Sequence, residues 1–139
     1  MKISFAVFLL LLALASTARA FETQCARSGL DTEPIPFTVP APSFTPKLIS
    51  VSGVIEVVST KPSPNGGIGA SVLLYIDDRY VNFTEVFKFG MRKKEAFVVP
   101  FAFTHGVKIP GEIYTIDLLH FGPIEATKVF NLEVCFLGD

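Results

Sequence analysis

The chain of 139 residues has no tryptophan, two cysteines and two histidines, and charged residues make up only 18% of it. Each scarcity narrows the functions available. The two imidazoles, His105 and His120, stand beside no serine or cysteine in a nucleophile motif such as G-x-S-x-G, so acyl transfer has no constellation to work with. Cysteine and histidine are not clustered at zinc spacing. "NGGIG", Asn65 to Gly69, lacks the Lys-Ser/Thr pair and the following helix of a phosphate loop. Asp77 and Asp78 adjoin on a turn, where neighbouring acids are ordinarily solvated turn formers. The expectation is a protein that is not an enzyme and carries no metal or cofactor, with a small hydrolase the least supported alternative.

Long apolar runs are also missing once the first twenty residues are passed, so no later segment matches the roughly 18 consecutive apolar residues of a spanning helix. Those first residues, "MKISFAVFLLLLALASTARA", have a charged start at Lys2, an apolar stretch from Phe5 to Ala15, and small residues at Ala18 and Ala20. This is the pattern of a secretory signal peptide cleaved after Ala20. A secreted chain, extracellular or in the lumen of an endomembrane compartment, is expected, with a soluble mature form of one domain. Without Lys2 and Arg19 it carries ten basic against thirteen acidic residues. That balance disfavours nucleic acid, whose phosphates need many cations.

Secretion makes disulfides available. Cys25 and Cys135 lie near the two ends of the mature chain, and an intramolecular bridge can only join these two. Asn82-Phe83-Thr84 is an N-glycosylation sequon at Asn82.

What the sequence has in abundance is phenylalanine, twelve of the fourteen lying beyond the signal, together with proline and short apolar runs. Residues 21–47 carry Pro34, Pro36, Pro40, Pro42 and Pro46, which forbid a regular central strand. They predict an extended segment packed on the domain, with room for one short edge strand. From residue 48 to 139 the texture is of strands and turns. "LISVSGVIEVVS" (Leu48 to Ser59) reads as a strand with Gly53 as a bulge. Thr60 to Gly69 reads as a loop around Asn65-Gly66, and "ASVLLYI" as the next strand. "YVNFTEVFKFG" alternates, with Val81, Phe83, Phe87 and Phe89 assigned inward and Tyr80, Asn82, Thr84 and Lys88 outward. Phe97, Val99, Phe101 and Phe103 alternate in the following strand. Val98, Pro100 and Ala102 between them are apolar too, so the Pro-rich segment is assigned as their cover. Pro100 marks an edge or a bulge. "TKVFNLEVCFL" places Phe130, Leu132, Val134 and Phe136 on one face. Six to eight short strands and no helical segment predict an all-β, two-sheet antiparallel sandwich with an immunoglobulin-like outline.

The final third, "VPFAFTHGVKIPGEIYTIDLL" followed by "KVFNLEVCF", resembles the ML lipid-recognition domain family. Pro110, Gly111 and Tyr114 match its proline-glycine-x-Tyr element, and Cys25 with Cys135 match a cysteine near the mature N-terminus bridged to one in the last strand. The resemblance implies a lipid held between the two sheets. A second, weaker resemblance links "SVSGVI" and "GASVLLYIDDR" to nematode transthyretin-like secreted proteins and implies binding at the surface.

The functional expectation is a lipid-binding or transfer protein with a sterol, fatty acid or phospholipid acyl chain between its sheets. The lining residues would be Phe83, Phe87, Phe97, Val99, Phe101, Phe103, Tyr114, Ile116, Leu118, Phe130, Leu132 and Val134. An ordinary packed core is the competing reading of the same residues, and a secreted interaction module with a protein partner is the competing function. Arg92, Lys93 and Lys94 form the one basic cluster, read either as a solvated turn protecting a strand edge or as a transient contact for an acidic membrane surface.

Overall fold

A computed structural model describes residues 20–28 and 35–139. All of the expected signal peptide except Ala20 lies outside these residues. Among them the chain forms eight strands and no helix: β1 (Glu22–Arg27), β2 (Phe37–Pro40), β3 (Pro46–Ser59), β4 (Ser63–Ile76), β5 (Arg79–Met91), β6 (Ala96–Gly106), β7 (Ile113–Phe121) and β8 (Ile124–Gly138). They build two antiparallel four-stranded sheets, sheet A in the order β1-β8-β3-β6 and sheet B in the order β2-β7-β4-β5. The all-β antiparallel sandwich expected from the sequence is what forms.

The strand order is more specific than the immunoglobulin-like outline. β4 pairs with β5, β3 with β6, β2 with β7 and β1 with β8. These are the rungs of one long hairpin whose tip is the β4–β5 turn. Rolling that hairpin brings β3 beside β8 and β4 beside β7, which is the wrapping of a jelly roll. The tip is a two-residue turn with Asp77 at φ 48° and Asp78 at φ 61°, positive at both positions as the favoured hairpin turn requires. Four strands, β3, β4, β5 and β8, run to between 13 and 15 residues, longer than the short strands expected. Asn65-Gly66 is no loop: β4 passes through it with a register irregularity between Ser63 and Gly67.

The described parts of the Pro-rich segment, residues 21–28 and 35–47, are woven into the sheets, with β1 at one edge of sheet A and β2 at one edge of sheet B, and Pro34 lies outside the described residues. Proline is tolerated there because an edge leaves one row of donors unused. Val98, Pro100 and Ala102 are therefore not covered by it. They lie on the outer face of β6, the opposite edge of sheet A, and are exposed. Pro100 does mark an edge strand, as its missing donor suggested.

The centre of the sandwich is filled. Ile49, Val51, Ile55 and Val57 of β3 meet Ile68, Val72 and Leu74 of β4 with no solvent exposure. Tyr114 of β7 packs edge-on against Phe136 of β8, ring centroids 4.8 Å apart. Side chains of this size stabilise the fold by about 1.5–3 kcal/mol each when fully buried.

Candidate functional site

Two bulges decide which of the expected lining residues reach the interior. In β8 the pairing with β3 passes from Ser52↔Glu133 to Val54↔Phe130, so Asn131 and Leu132 together oppose Gly53. Asn131 takes φ 50°, a left-handed conformation that asparagine tolerates better than most side chains. The extra residue inverts the alternation. Val129, paired with Ile55, points inward and is buried, and Phe130, paired with Val54, lies on the outer face of sheet A. Phe130 is thus removed from the expected set. Gly53 does oppose the bulge, and the ring of Phe101 lies over it, 2.9 Å from where a Cβ would stand.

In β5 the pairing with β4 jumps from Tyr75↔Tyr80 to Leu74↔Asn82, leaving Val81 as the extra residue. From there Thr84, Val86 and Lys88 share the inward face with Val72, Ala70 and Ile68, while Phe83, Phe87 and Phe89 pair with Leu73, Gly69 and Gly67 on the outer face of sheet B. From Asn82 onward the expected assignment of β5 is reversed, Phe83 and Phe87 being about half exposed and Phe89 63% exposed, while Val81 packs against the core and Tyr80 is exposed as expected. Asn82 is not on a wet face. It is half-buried at the sheet edge, and its Nδ2 donates to the Thr104 carbonyl of β6 at 3.0 Å.

The remaining nine candidates divide into two groups. Tyr114, Ile116, Leu132 and Val134 are fully buried in the packed centre, and Leu118 packs against that core. They fill the space between the sheets, and only Leu118 and Leu132 also reach hollows, of about 320 and 350 Å³, on the side away from β5 and β6. Phe97, Val99, Phe101 and Phe103 alternate inward along β6, paired with Val57, Ile55, Gly53 and Val51. Phe101 is buried and the other three are half-buried.

β6 and β5 are the free edges of opposite sheets on the same side of the sandwich. Between them opens a cleft of about 480 Å³, with Phe97, Val99 and Phe101 on one wall, Thr84, Val86 and Lys88 on the other, and Glu85, Phe87, Pro100 and Ala102 completing its lining, so Phe87 reaches the cleft from the outer face. At its rim the Lys88 ammonium meets the Glu95 carboxylate at 2.5 Å, and the Arg92 amide donates to the other carboxylate oxygen at 2.7 Å. The Lys88 hydrogen bond, and after it the Arg92 amide, hold the Glu95 carboxyl below the ordinary carboxylate range. Elsewhere Ile35, Phe37 and Phe44 pack against the core, and the smaller hollow of about 320 Å³ remains beside Ile35 between β7 and β8.

Asp77 and Asp78 are turn formers, and Asp77 does more: its Oδ1 accepts from the amides of Glu112 and Ile113 at 2.8 and 2.9 Å, anchoring the start of β7. Pro110 and Gly111 lie in the loop beside it, and the Gly111 amide donates to the Tyr114 hydroxyl at 3.2 Å. That hydroxyl is therefore engaged within the fold. Cys25 and Cys135 are bonded to each other. Among the described residues the one trio of potential metal ligands is Cys25, Glu133 and Cys135, and the disulfide consumes both thiolates.

No family model matches the chain, and no curated protein matches it. Among solved structures, it aligns over 84% of its length with a chain of the T13 particle of infectious bursal disease virus, at 12% identity and a TM-score of 0.45. It aligns over the same share with dimeric latent PorU from Porphyromonas gingivalis, at 9% identity and a TM-score of 0.46. The chain spans 31% of the former and 10% of the latter. Likenesses this distant assign neither family nor function.

Proposed function

We propose that the chain is a secreted binding protein that takes an apolar ligand with an acidic headgroup, of the fatty-acid kind, in the cleft between β5 and β6. The observation that carries the reading is the composition of that cleft: an aromatic and aliphatic wall from β6 facing Thr84, Val86, Phe87 and Lys88 of β5, with Glu85 the one acid in the lining. Ligand pockets have this makeup, apolar walls with a few placed polar groups, and volumes of about 300–1,000 Å³. The ligand lies at the side of the sandwich, because the space between the sheets is occupied by core side chains. Lys88 would exchange Glu95 for the ligand's carboxylate.

Displacement of a fluorescent fatty acid by unlabelled palmitate tests this on the disulfide-linked protein. Val99→Glu, a change at a half-buried wall position, is expected to abolish probe binding with the thermal transition retained. Lys88→Met should weaken a carboxylate probe and leave its alcohol analogue unaffected. Absence of probe binding by the wild-type protein, together with no lipid in an organic extract of protein from its own source, would sink the reading. The filled centre favours one alternative, a secreted β-sandwich interaction module that binds a protein at its surface. Under it the Val99→Glu protein folds and keeps its partner.

A further inference from the structure

Three turns meet at one end of the sandwich. The Lys94 amide donates to the Ser59 carbonyl at 2.8 Å, the Ser59 amide to the Glu95 carbonyl at 3.0 Å, and the Thr60 amide to the Pro123 carbonyl at 2.8 Å. This lacing joins the β3–β4, β5–β6 and β7–β8 turns into one rigid tip. Lys61, Arg92, Lys93 and Lys94 project from it, all exposed. Of the acids described near this end, Glu95 is engaged by Lys88 and Glu85 accepts from the Ser71 hydroxyl beside Phe87 and Phe89, and none of the four cations makes an ion pair among the described residues. The opposite end is mixed in sign, with Asp77, Asp78 and Glu112 alongside Arg79 and Lys108.

The same end carries aromatic rings that the core does not use. Phe87 and Phe89 stand on the outer face of sheet B in an edge-to-face pair, centroids 5.3 Å apart. Phe89 leans over the bare backbone of Gly67, which explains its strand position, yet it remains 63% exposed and Phe87 53%. Exposed aromatics beside a run of cations match the two layers of an anionic bilayer surface. Exposed phenylalanine rings gain by burial at the headgroup and acyl boundary, and each Lys or Arg near the surface gains from the negative potential of acidic lipids.

We infer that the β5–β6 end of the sandwich is a docking tip for an anionic lipid surface, with Phe89 and Phe87 entering the headgroup region and Lys61, Arg92, Lys93 and Lys94 meeting its phosphates and carboxylates. The inference does not depend on the cleft being occupied. Charge complementarity selects this occupant: a neutral apolar partner would gain nothing from four cations.

The test is sedimentation of the disulfide-linked protein with vesicles of phosphatidylcholine alone and of phosphatidylcholine with phosphatidylserine. Binding is expected to the anionic vesicles alone and to fall when salt is raised from about 0.1 to about 0.5 M. The triple variant Arg92→Ser, Lys93→Ser, Lys94→Ser should lower partitioning on the order of 100-fold, at about fivefold per cation. Phe89→Ser should lower it roughly tenfold. Both sets of changes are at exposed positions, and an unchanged thermal transition is the control. Equal binding to both vesicle types, no binding to either, or undiminished binding by either variant would overturn the inference, as would capture of a protein at this tip without vesicle binding. The cleft is read separately: the triple variant keeps the fatty acid probe, and Val99→Glu keeps the vesicles.

Discussion

At the scale of single residues, the pair at the cleft rim gives the sharpest expectation. Glu95 has a carboxyl held low chiefly by Lys88. A carboxyl depressed on folding contributes stability that is fully present above its unfolded value and is lost as pH falls through the lower folded value. Lys88→Met should therefore raise the Glu95 titration midpoint, followed by NMR at its side-chain carbonyl, and should remove that part of the acid sensitivity of unfolding. A midpoint unmoved by the substitution would show the ion pair to be absent in solution. Asn131 offers a second expectation. Its φ of 50° costs an ordinary L-residue about 1–2 kcal/mol, so Asn131→Val should destabilise by about that much in urea, and Asn131→Gly should be close to neutral. Some residues announced these roles in the sequence: Pro100 as an edge and Cys25 with Cys135 as a staple follow from local chemistry, and Gly53 marked the position of a bulge whose extra residue lies opposite it in β8. Asn131 did not, because tolerance of a left-handed backbone is used only where the neighbouring strand demands it.

At the scale of elements, alternation in β5 was legible and its direction was not. Period two states that Phe83, Phe87 and Phe89 share a face, and hydrophobicity alone assigns that face inward. The register assigns it outward. The Asp77-Asp78 turn starts the pairing and the extra residue at Val81 shifts it by one, which exchanges the two faces from Asn82 onward. An edge strand accepts Thr84 and Lys88 on its inward side because that side opens to the cleft. β6 was read correctly for the complementary reason: it pairs with β3 without irregularity from Leu48↔Gly106 to Val58↔Ala96, so its alternation survives intact. β8 fails at Phe130 for the same reason as β5. The reversal has a direct stability consequence. Phe89→Ser should cost about 0.5 kcal/mol or less, as exposed substitutions do, whereas Phe101→Ala should cost about 3–5 kcal/mol. Comparable losses for the two in denaturant titrations would contradict the outward placement of β5.

At the scale of the whole molecule, the jelly-roll wrapping makes β1 and β8 the last rung of the rolled hairpin, and the disulfide lies on that rung. Cys25 and Cys135 are direct partners across the ladder, 4.0 Å apart at Cα and 110 residues apart in sequence. β1 has little else to hold it. Five of its six residues are exposed and the sixth, Ala26, is only partly buried, and Arg27 adds one ion pair to Glu133 of the exposed kind that is worth little. The bridge can therefore act in two ways, which are separable. Restricting the unfolded chain over a loop of this length is worth up to about 4.7 kcal/mol, and native disulfides typically contribute about 2–5. That contribution should appear in the double variant Cys25→Ser, Cys135→Ser as a lower urea midpoint and as equally reduced hydrogen-exchange protection of every amide that opens only by global unfolding, those of β3 and β4 among them. Clamping β1 onto sheet A is a native-state effect and should appear as a larger loss confined to β1 and its partners in β8. The thin burial of β1 predicts both: a global loss of about 2–5 kcal/mol and, beyond it, near-complete loss of protection in residues 22–27. Exchange in β1 that falls only in step with β3 would show that the ladder alone holds the strand and that the bridge acts through the unfolded chain.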